Sequence, residues 1–100
     1  MKNILTSKQL DFLKGYAPKD SHYTSFEEIA EVAKHLELEG KDGKSLCEIR
    51  DSAVEWYEDI YDVYKEAKKY DLADKAFNAM LSVTAVIDHY KAKIGRFDLI

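Results

Sequence analysis

The chain has 100 residues and a mass of 11.5 kDa, which is enough for one domain. Its 15 basic and 19 acidic side chains give a net charge of -4, and 46% hydrophobic residues exclude wholesale disorder. Four glycines and one proline are too few for an all-β domain, and Cys47 alone excludes an internal disulfide. No apolar run approaches the roughly 20 residues of a membrane span. The composition therefore predicts one soluble, cytoplasmic, all-α domain over residues 1–100.

Apolar spacing and helix-start residues predict two short helices in the N-terminal part of the chain. The first covers residues 7–16, where Thr6 and Gln9 form a capping box. The second covers residues 25–38, with a capping box formed either by Thr24 and Glu27 or by Ser25 and Glu28. Its predicted buried face is Phe26, Ile29, Ala30, Val32, Ala33 and Leu36.

Two longer helices are predicted in the C-terminal part, each with a heptad pattern of apolar residues. The third covers residues 45–69, and its apolar seam is Leu46, Ile49, Ala53, Trp56, Ile60, Val63 and Ala67. The fourth runs from a cap at Asp71 to a stop at Gly95, and its seam is Ala73, Phe77, Met80, Val83, Ile87, Tyr90 and Ile94. Because the connection is short, the two helices are expected to form an antiparallel hairpin with the short helices packed across it.

Acidic residues concentrate on the third helix, since residues 45–70 hold 7 acids and 4 bases, a net charge of -3. The acids on the side away from the seam are Glu48, Asp51, Glu55, Glu58, Asp59, Asp62 and Glu66. This pattern is typical of a solvated face, and also of a surface that binds a basic groove. Tyr57, Tyr61 and Tyr64 flank the seam and are amphipathic side chains that protein interfaces favour.

The preferred hypothesis is a non-enzymatic protein-binding module, an inhibitor of the kind that viruses, phages and mobile elements encode. Its acidic and aromatic helix face would imitate DNA towards a basic or nucleic-acid-binding protein. The predicted contact residues are Glu55, Tyr57, Asp59, Tyr61, Asp62, Tyr64 and Glu66. No catalytic residue, cofactor or metal is predicted. The tyrosines could instead pack under the first two helices or form a homodimer seam.

Two carboxylate motifs support an alternative hypothesis. They are Glu27-Glu28-Ile29-Ala30-Glu31 and, further along the chain, Glu48-Ile49-Arg50-Asp51. Their order and spacing resemble the MazG-like all-α nucleoside triphosphate pyrophosphatases. This resemblance implies a Mg²⁺-dependent hydrolase whose metal ligands are Glu28, Glu31, Glu48 and Asp51. The heptad pattern places Glu48 and Asp51 on the polar side of the third helix, where they are expected to face water.

A third hypothesis is DNA binding. The sequence Leu5-Thr6-Ser7-Lys8-Gln9, followed by Leu13, Ser25, Glu28-Ile29-Ala30 and Leu36, resembles the opening of LexA-type helix-turn-helix domains. A short head followed by a helical hairpin is also similar to phage small terminase subunits. These resemblances imply that the third helix enters the major groove with Lys41, Lys44 and Arg50. Glu48, Asp51 and Glu55 would then face phosphate, which is the wrong sign for DNA affinity.

Overall fold

The computed structural model describes residues 4–16 and 25–98, with side chains as far as Lys93. These residues form four helices, α1 (Ser7–Gly15), α2 (Phe26–His35), α3 (Gly43–Glu66) and α4 (Tyr70–Asp98). Helices α3 and α4 pack along each other as a hairpin, α2 packs on α4, and α1 contacts α2. The predicted all-α architecture of two short helices on a long C-terminal hairpin is confirmed.

Helices α1 and α2 begin at the predicted caps. The Thr6 hydroxyl accepts a hydrogen bond from the Gln9 N–H at 3.2 Å, and Gln9 Oε1 accepts one from the Thr6 N–H at 2.7 Å. This reciprocal pair is the predicted capping box. For α2, Ser25 Oγ accepts from the Glu28 N–H at 3.1 Å. The alternative cap, Thr24, lies outside the described residues.

Helix α3 begins earlier than predicted because an acidic side chain caps it. Asp42 Oδ1 accepts a hydrogen bond from the Ser45 N–H at 2.7 Å, so the helix starts at Gly43 rather than at Ser45. The same hydrogen bond holds the pKa of Asp42 below its usual value. Ser45 therefore lies inside the first turn instead of capping it.

Helix α2 is shorter than predicted, ending at His35 rather than at Leu38. Glu37 adopts the left-handed conformation with a φ of 55°, and this conformation ends the helix. The Leu38 N–H then donates to the Ala33 carbonyl at 2.9 Å, as in a Schellman motif. The turn also carries Leu38 back into the core, where its side chain is fully buried.

Helix α3 ends by the same motif. Lys68 has a φ of 60°, and the Lys69 N–H donates to the Tyr64 carbonyl at 2.8 Å. Helix α4 then begins at once at Tyr70, so Asp71 lies in its first turn and is not the predicted cap. The predicted stop at Gly95 is wrong, because the helix continues to Asp98. A single interior glycine costs only about 1 kcal/mol, which a helix of this length absorbs.

The core lies where α1 and α2 cover the base of the hairpin. The largest fully buried side chains are Leu13, Leu36, Leu38, Leu46, Ile87, Val32, Val83 and Val86. On α3 the predicted seam is buried at Leu46, Ile49 and Ala53, but no residue of this helix after Tyr57 is buried. At the far end, Val63 is 64% exposed, so the predicted burial there is wrong.

Helix length explains where the core ends. Helices α1 and α2 have 9 and 10 residues, whereas α3 has 24. At about 1.5 Å per residue, each short helix spans about 15 Å of a hairpin whose arms exceed about 35 Å. Residues 60–81, which we call the distal half of the hairpin, therefore extend beyond the helices that cover its base. Among the helices of the described ranges, none has the length and apolar content that crossing a bilayer requires.

The buried face of α4 differs from the predicted seam. Phe77 is 44% exposed, while Ala76, Ala79 and Val86, which fall outside the heptad pattern, are buried. The reason is that α4 packs on α2 as well as on α3, so it buries two flanks instead of one line. The side chain of Ile94, another predicted seam residue, lies outside the described part of the chain.

Candidate protein-binding surface on the third helix

The predicted acidic contact residues lie on one outer face of α3. Their spacing of four, three and four residues places Glu55, Asp59, Asp62 and Glu66 along one side of the helix. We call these four residues the acidic stripe. Glu55 is half-buried, and the other three are exposed. In the described part of the chain, none of those three exposed carboxylates forms an ion pair, so Asp59, Asp62 and Glu66 present negative charge to solvent.

A large apolar side chain lies beside this stripe. Val63 is 64% exposed and comes four residues after Asp59 and three before Glu66, so it lies next to both on the helix surface. Trp56 and Ile60, about two turns and one turn earlier, are partly buried and pack against the core. Val63 therefore forms the exposed end of an apolar line that begins in the core.

Sequence reasoning assigned Val63 to the core and missed it as a surface residue. A heptad pattern shows which side of a helix is apolar, but not how far along that side other helices pack against it. The usable signal was the length of the predicted short helices, since residues 7–16 and 25–38 give 10 and 14 residues against 25 for residues 45–69.

The three predicted tyrosine anchors do not form a common surface. Tyr57 is 3% exposed, and its hydroxyl donates to the Leu13 carbonyl at 3.0 Å. Burial raises the pKa of this phenol above its usual value. Tyr57 is a core residue that ties α3 to α1, and we remove it from the candidate surface.

The other two tyrosines are half-buried. The ring of Tyr61 lies 6.0 Å from that of Phe77, between centroids, and Lys65 Nζ lies 5.7 Å from the centroid of the Tyr61 ring. Tyr61 therefore faces α4, on the other flank of α3 from Val63. Tyr64 is three residues after Tyr61 and keeps part of its ring accessible. Tyr64 is two residues from both Asp62 and Glu66, which is about 200° around the helix, so it lies on the side of α3 opposite to the acidic stripe and we remove it from the candidate surface.

No protein-family model, curated protein or solved structure matches this chain. The candidate surface therefore rests on its own geometry.

The structure does not bring the alternative metal ligands together. Glu28 accepts a hydrogen bond from the Tyr16 hydroxyl, and Glu31, Glu48 and Asp51 are exposed. Asp51 pairs with Arg50 at 3.3 Å. Across the ranges that the structure describes, no three His, Cys, Asp or Glu side chains lie close enough to hold a metal ion. The carboxylate motifs that resemble the pyrophosphatases thus occupy separate places on the surface.

The basic residues of the DNA-binding hypothesis are also dispersed. Lys41 and Lys44 are exposed at the start of α3, but Arg50 is bound to two carboxylates. Its guanidinium donates to Asp88 at 2.8 Å and to Asp51 at 3.3 Å. The hydrogen bond to Asp88 raises the pKa of Arg50, and the pairing occupies the group that would contact phosphate.

Cys47 is half-buried between α3 and α4. Lys91 Nζ donates a hydrogen bond to its Sγ at 2.9 Å. This contact fixes one end of the hairpin, at the opposite end from the candidate surface.

Proposed function

We propose that this chain is a non-enzymatic protein-binding module, and that the acidic stripe with Val63 contacts a basic groove on its partner. The observation that carries the proposal is the exposed side chain of Val63 beside Asp59 and Glu66, two exposed carboxylates that form no ion pair within the described part of the chain. Large exposed apolar side chains within a charged rim are typical of interface centres, where the apolar group is desolvated and the charges orient the partner. Asp62, Val63 and Glu66 lie in the distal half of the hairpin, whereas Glu55 and Asp59 lie just before it.

The partner we favour is a protein whose groove binds nucleic acid. The stripe extends from Glu55 to Glu66, a difference of 11 positions, which is about 16 Å of helix at 1.5 Å per residue. DNA carries one phosphate per about 3.4 Å of each strand, so the stripe is a sparser row of negative charge. Val63 adds an apolar contact that a phosphate group cannot make. The chain would thus act as an inhibitor that imitates DNA, of the kind that phages and other mobile elements encode.

The cellular setting we propose is the cytoplasm. The chain has a single, unpaired cysteine, and such thiols persist in reducing compartments. A cytoplasmic DNA mimic would meet its basic partner directly.

The test compares capture of a partner from a lysate of the source cell by three forms of the chain. The first is the wild type, and the second carries Asp59→Lys with Asp62→Lys. The third is a matched control with Asp11→Lys and Glu39→Lys, which changes the net charge equally at two exposed positions elsewhere. We expect wild type and control to retain one stoichiometric protein, released by moderate salt, and the stripe variant to lose it.

A second arm separates the apolar contact from the charges. Val63→Asp adds a carboxylate to the stripe and removes the exposed valine, so capture should weaken although the negative charge rises. Duplex DNA added as competitor should displace the chain from a nucleic-acid-binding partner. Equal capture by the wild type and the stripe variant would show that the stripe is only a solvated face.

A further inference from the structure

The contacts between α3 and α4 define which residues share a level along the hairpin. Arg50 contacts Asp88, and Tyr61 contacts Phe77. Tyr61 is 11 residues after Arg50 on α3, and Phe77 is 11 residues before Asp88 on α4. Equal and opposite steps are expected for antiparallel helices in constant register. Tyr61 and Phe77 therefore lie at the same height.

Helix α4 exposes a row of large apolar side chains around this level. Tyr70 is 59% exposed, Phe77 is 44% exposed and Leu81 is 50% exposed. Their spacing of seven and four residues places them on one face of the helix. Phe77 is nine residues before the buried Val86, which is about 180° around the helix at about 100° per residue. The row thus lies on the side of α4 opposite to part of its buried face.

Helix α3 contributes a matching row beside it. Val54, Glu58, Tyr61 and Lys65 follow one another at steps of four, three and four residues. Val54 and Tyr61 are half-buried, and Glu58 and Lys65 are exposed. We call the two rows together the rear strip.

We propose that the chain forms an antiparallel two-fold dimer through the rear strip. The axis runs across the hairpin at the height of Tyr61 and Phe77, so each long helix lies against its own copy. Glu58 precedes Tyr61 by three residues and Lys65 follows it by four, so Glu58 of one copy faces Lys65 of the second copy. The charges are therefore self-complementary, as an isologous interface requires.

The apolar groups match under the same symmetry. Phe77 meets its own copy on the axis, which places two aromatic rings at the centre of the interface. Leu81 lies four residues beyond Phe77 and Tyr70 lies seven residues before it, so Leu81 of each copy reaches towards Tyr70 of the other. One symmetry operation thus pairs the exposed apolar residues and the opposite charges.

The available area suits a weak dimer. Tyr70, Phe77 and Leu81 leave about 300 Å² of apolar surface exposed per copy, since large aromatic side chains bury about 150–250 Å² each. Two copies supply about 600 Å², and apolar atoms form about 60% of an interface, which implies about 1,000 Å² in total. That value reaches the lower range of specific interfaces. We expect a dissociation constant of about 10–100 μM for the dimer.

This dimer is independent of the proposed function. Val63 and Tyr61 are on opposite flanks of α3, so the dimer leaves Val63, Asp59 and Glu66 accessible on both copies. Asp62 lies at the edge of the dimer interface, since it is four residues after Glu58 and three before Lys65. A dimer would offer two stripes to a partner with repeated binding sites.

Sedimentation velocity of the full chain from about 5 to 500 μM, a range that spans the expected dissociation constant, tests the proposal. Glu58→Lys and Lys65→Glu change exposed positions and should leave the circular dichroism spectrum unchanged. Each variant alone places like charges face to face at both symmetric positions, and should weaken the dimer about tenfold. An equimolar mixture of the two variants should form a heterodimer of at least wild-type strength. Val63→Asp, the matched control on the other flank, should have no effect.

Crosslinking provides a second readout. Phe77→Cys in a Cys47→Ser background places a thiol near the axis, and mild oxidation should produce a disulfide-linked dimer. Leu72→Cys in the same background, outside the rear strip, should crosslink poorly. A chain that stays monomeric over the whole range overturns the proposal. A dimer that Val63→Asp dissociates, or that the mixture of charge variants fails to restore, overturns it equally.

Discussion

The contact between α1 and α2 depends on one buried amide, so its removal should cost a large part of the domain's stability. Gln9 is 5% exposed. Its Nε2 donates to the Leu36 carbonyl at 2.7 Å, and its Oε1 accepts from the Thr6 N–H at 2.7 Å. The amide thus joins the start of α1 to the end of α2, which fixes the helices that cover the base of the hairpin.

The expected loss follows from these two hydrogen bonds. Each contributes about 0.5–1.5 kcal/mol net, and a buried carbonyl left without its donor costs about 1–3 kcal/mol. Since Leu36 is fully buried, Gln9→Ala should lower the free energy of unfolding by about 3 kcal/mol. A small domain has only about 5–15 kcal/mol in total.

Urea unfolding followed by circular dichroism measures this difference, with Lys8→Ala as the matched control at an exposed neighbouring position. Gln9→Glu adds a pH dependence. The buried carboxyl should have a pKa above about 4.3, so the variant keeps its stability below that pH and loses it as the pH rises. A loss under about 1 kcal/mol for Gln9→Ala would refute the reasoning, because the amide would then not be desolvated in the folded state.

Two further predictions concern the hairpin. Lys68→Gly should raise the free energy of unfolding by about 1 kcal/mol, because Lys68 has a φ of 60° that costs a non-glycine residue about that much. Lys68→Ala is the control and should bring no such gain; equal stabilities in urea for all three would contradict the argument. Tyr57→Phe should cost about 1 kcal/mol at neutral pH through the lost hydrogen bond to Leu13. Burial raises the pKa of Tyr57, so the contribution of its phenol to the free energy of unfolding is complete below pH of about 10 and falls as the pH rises. The free energy of unfolding of Tyr57→Phe should therefore decrease less steeply at alkaline pH than that of the wild type.

Local signals in this sequence were sufficient to predict the fold. The caps at Thr6 and Ser25 depend on residues three positions apart, and both are correct. Helix ends were predicted less well. Glu37 and Lys68 take left-handed conformations that composition assigns to glycine, while Gly95 lies inside a helix. Helices α2 and α3 end through local Schellman hydrogen bonds around Glu37 and Lys68, which the residue types at these positions do not indicate.

The candidate surface was predicted only in part for a non-local reason. The pattern of acids on α3 is a property of one helix, so Asp59 and Asp62 were found from spacing. Burial of Tyr57 and exposure of Val63 depend on how far α1 and α2 reach along the hairpin. That distance depends on the packing of the four helices, so it cannot be predicted from the spacing of residues within one helix.

The size of the buried side chains of α4 changes along the hairpin. Towards the turn they are Ala73, Ala76 and Ala79, and towards the base they are Val83, Val86 and Ile87. A buried methylene contributes about 0.8 kcal/mol, and a fully buried valine or isoleucine about 1.5–3 kcal/mol. Amide protons near the turn should therefore exchange through openings that cost much less than global unfolding. Asp62, Val63 and Glu66, which belong to the surface that we assign to a partner, lie at this less strongly packed end of the hairpin.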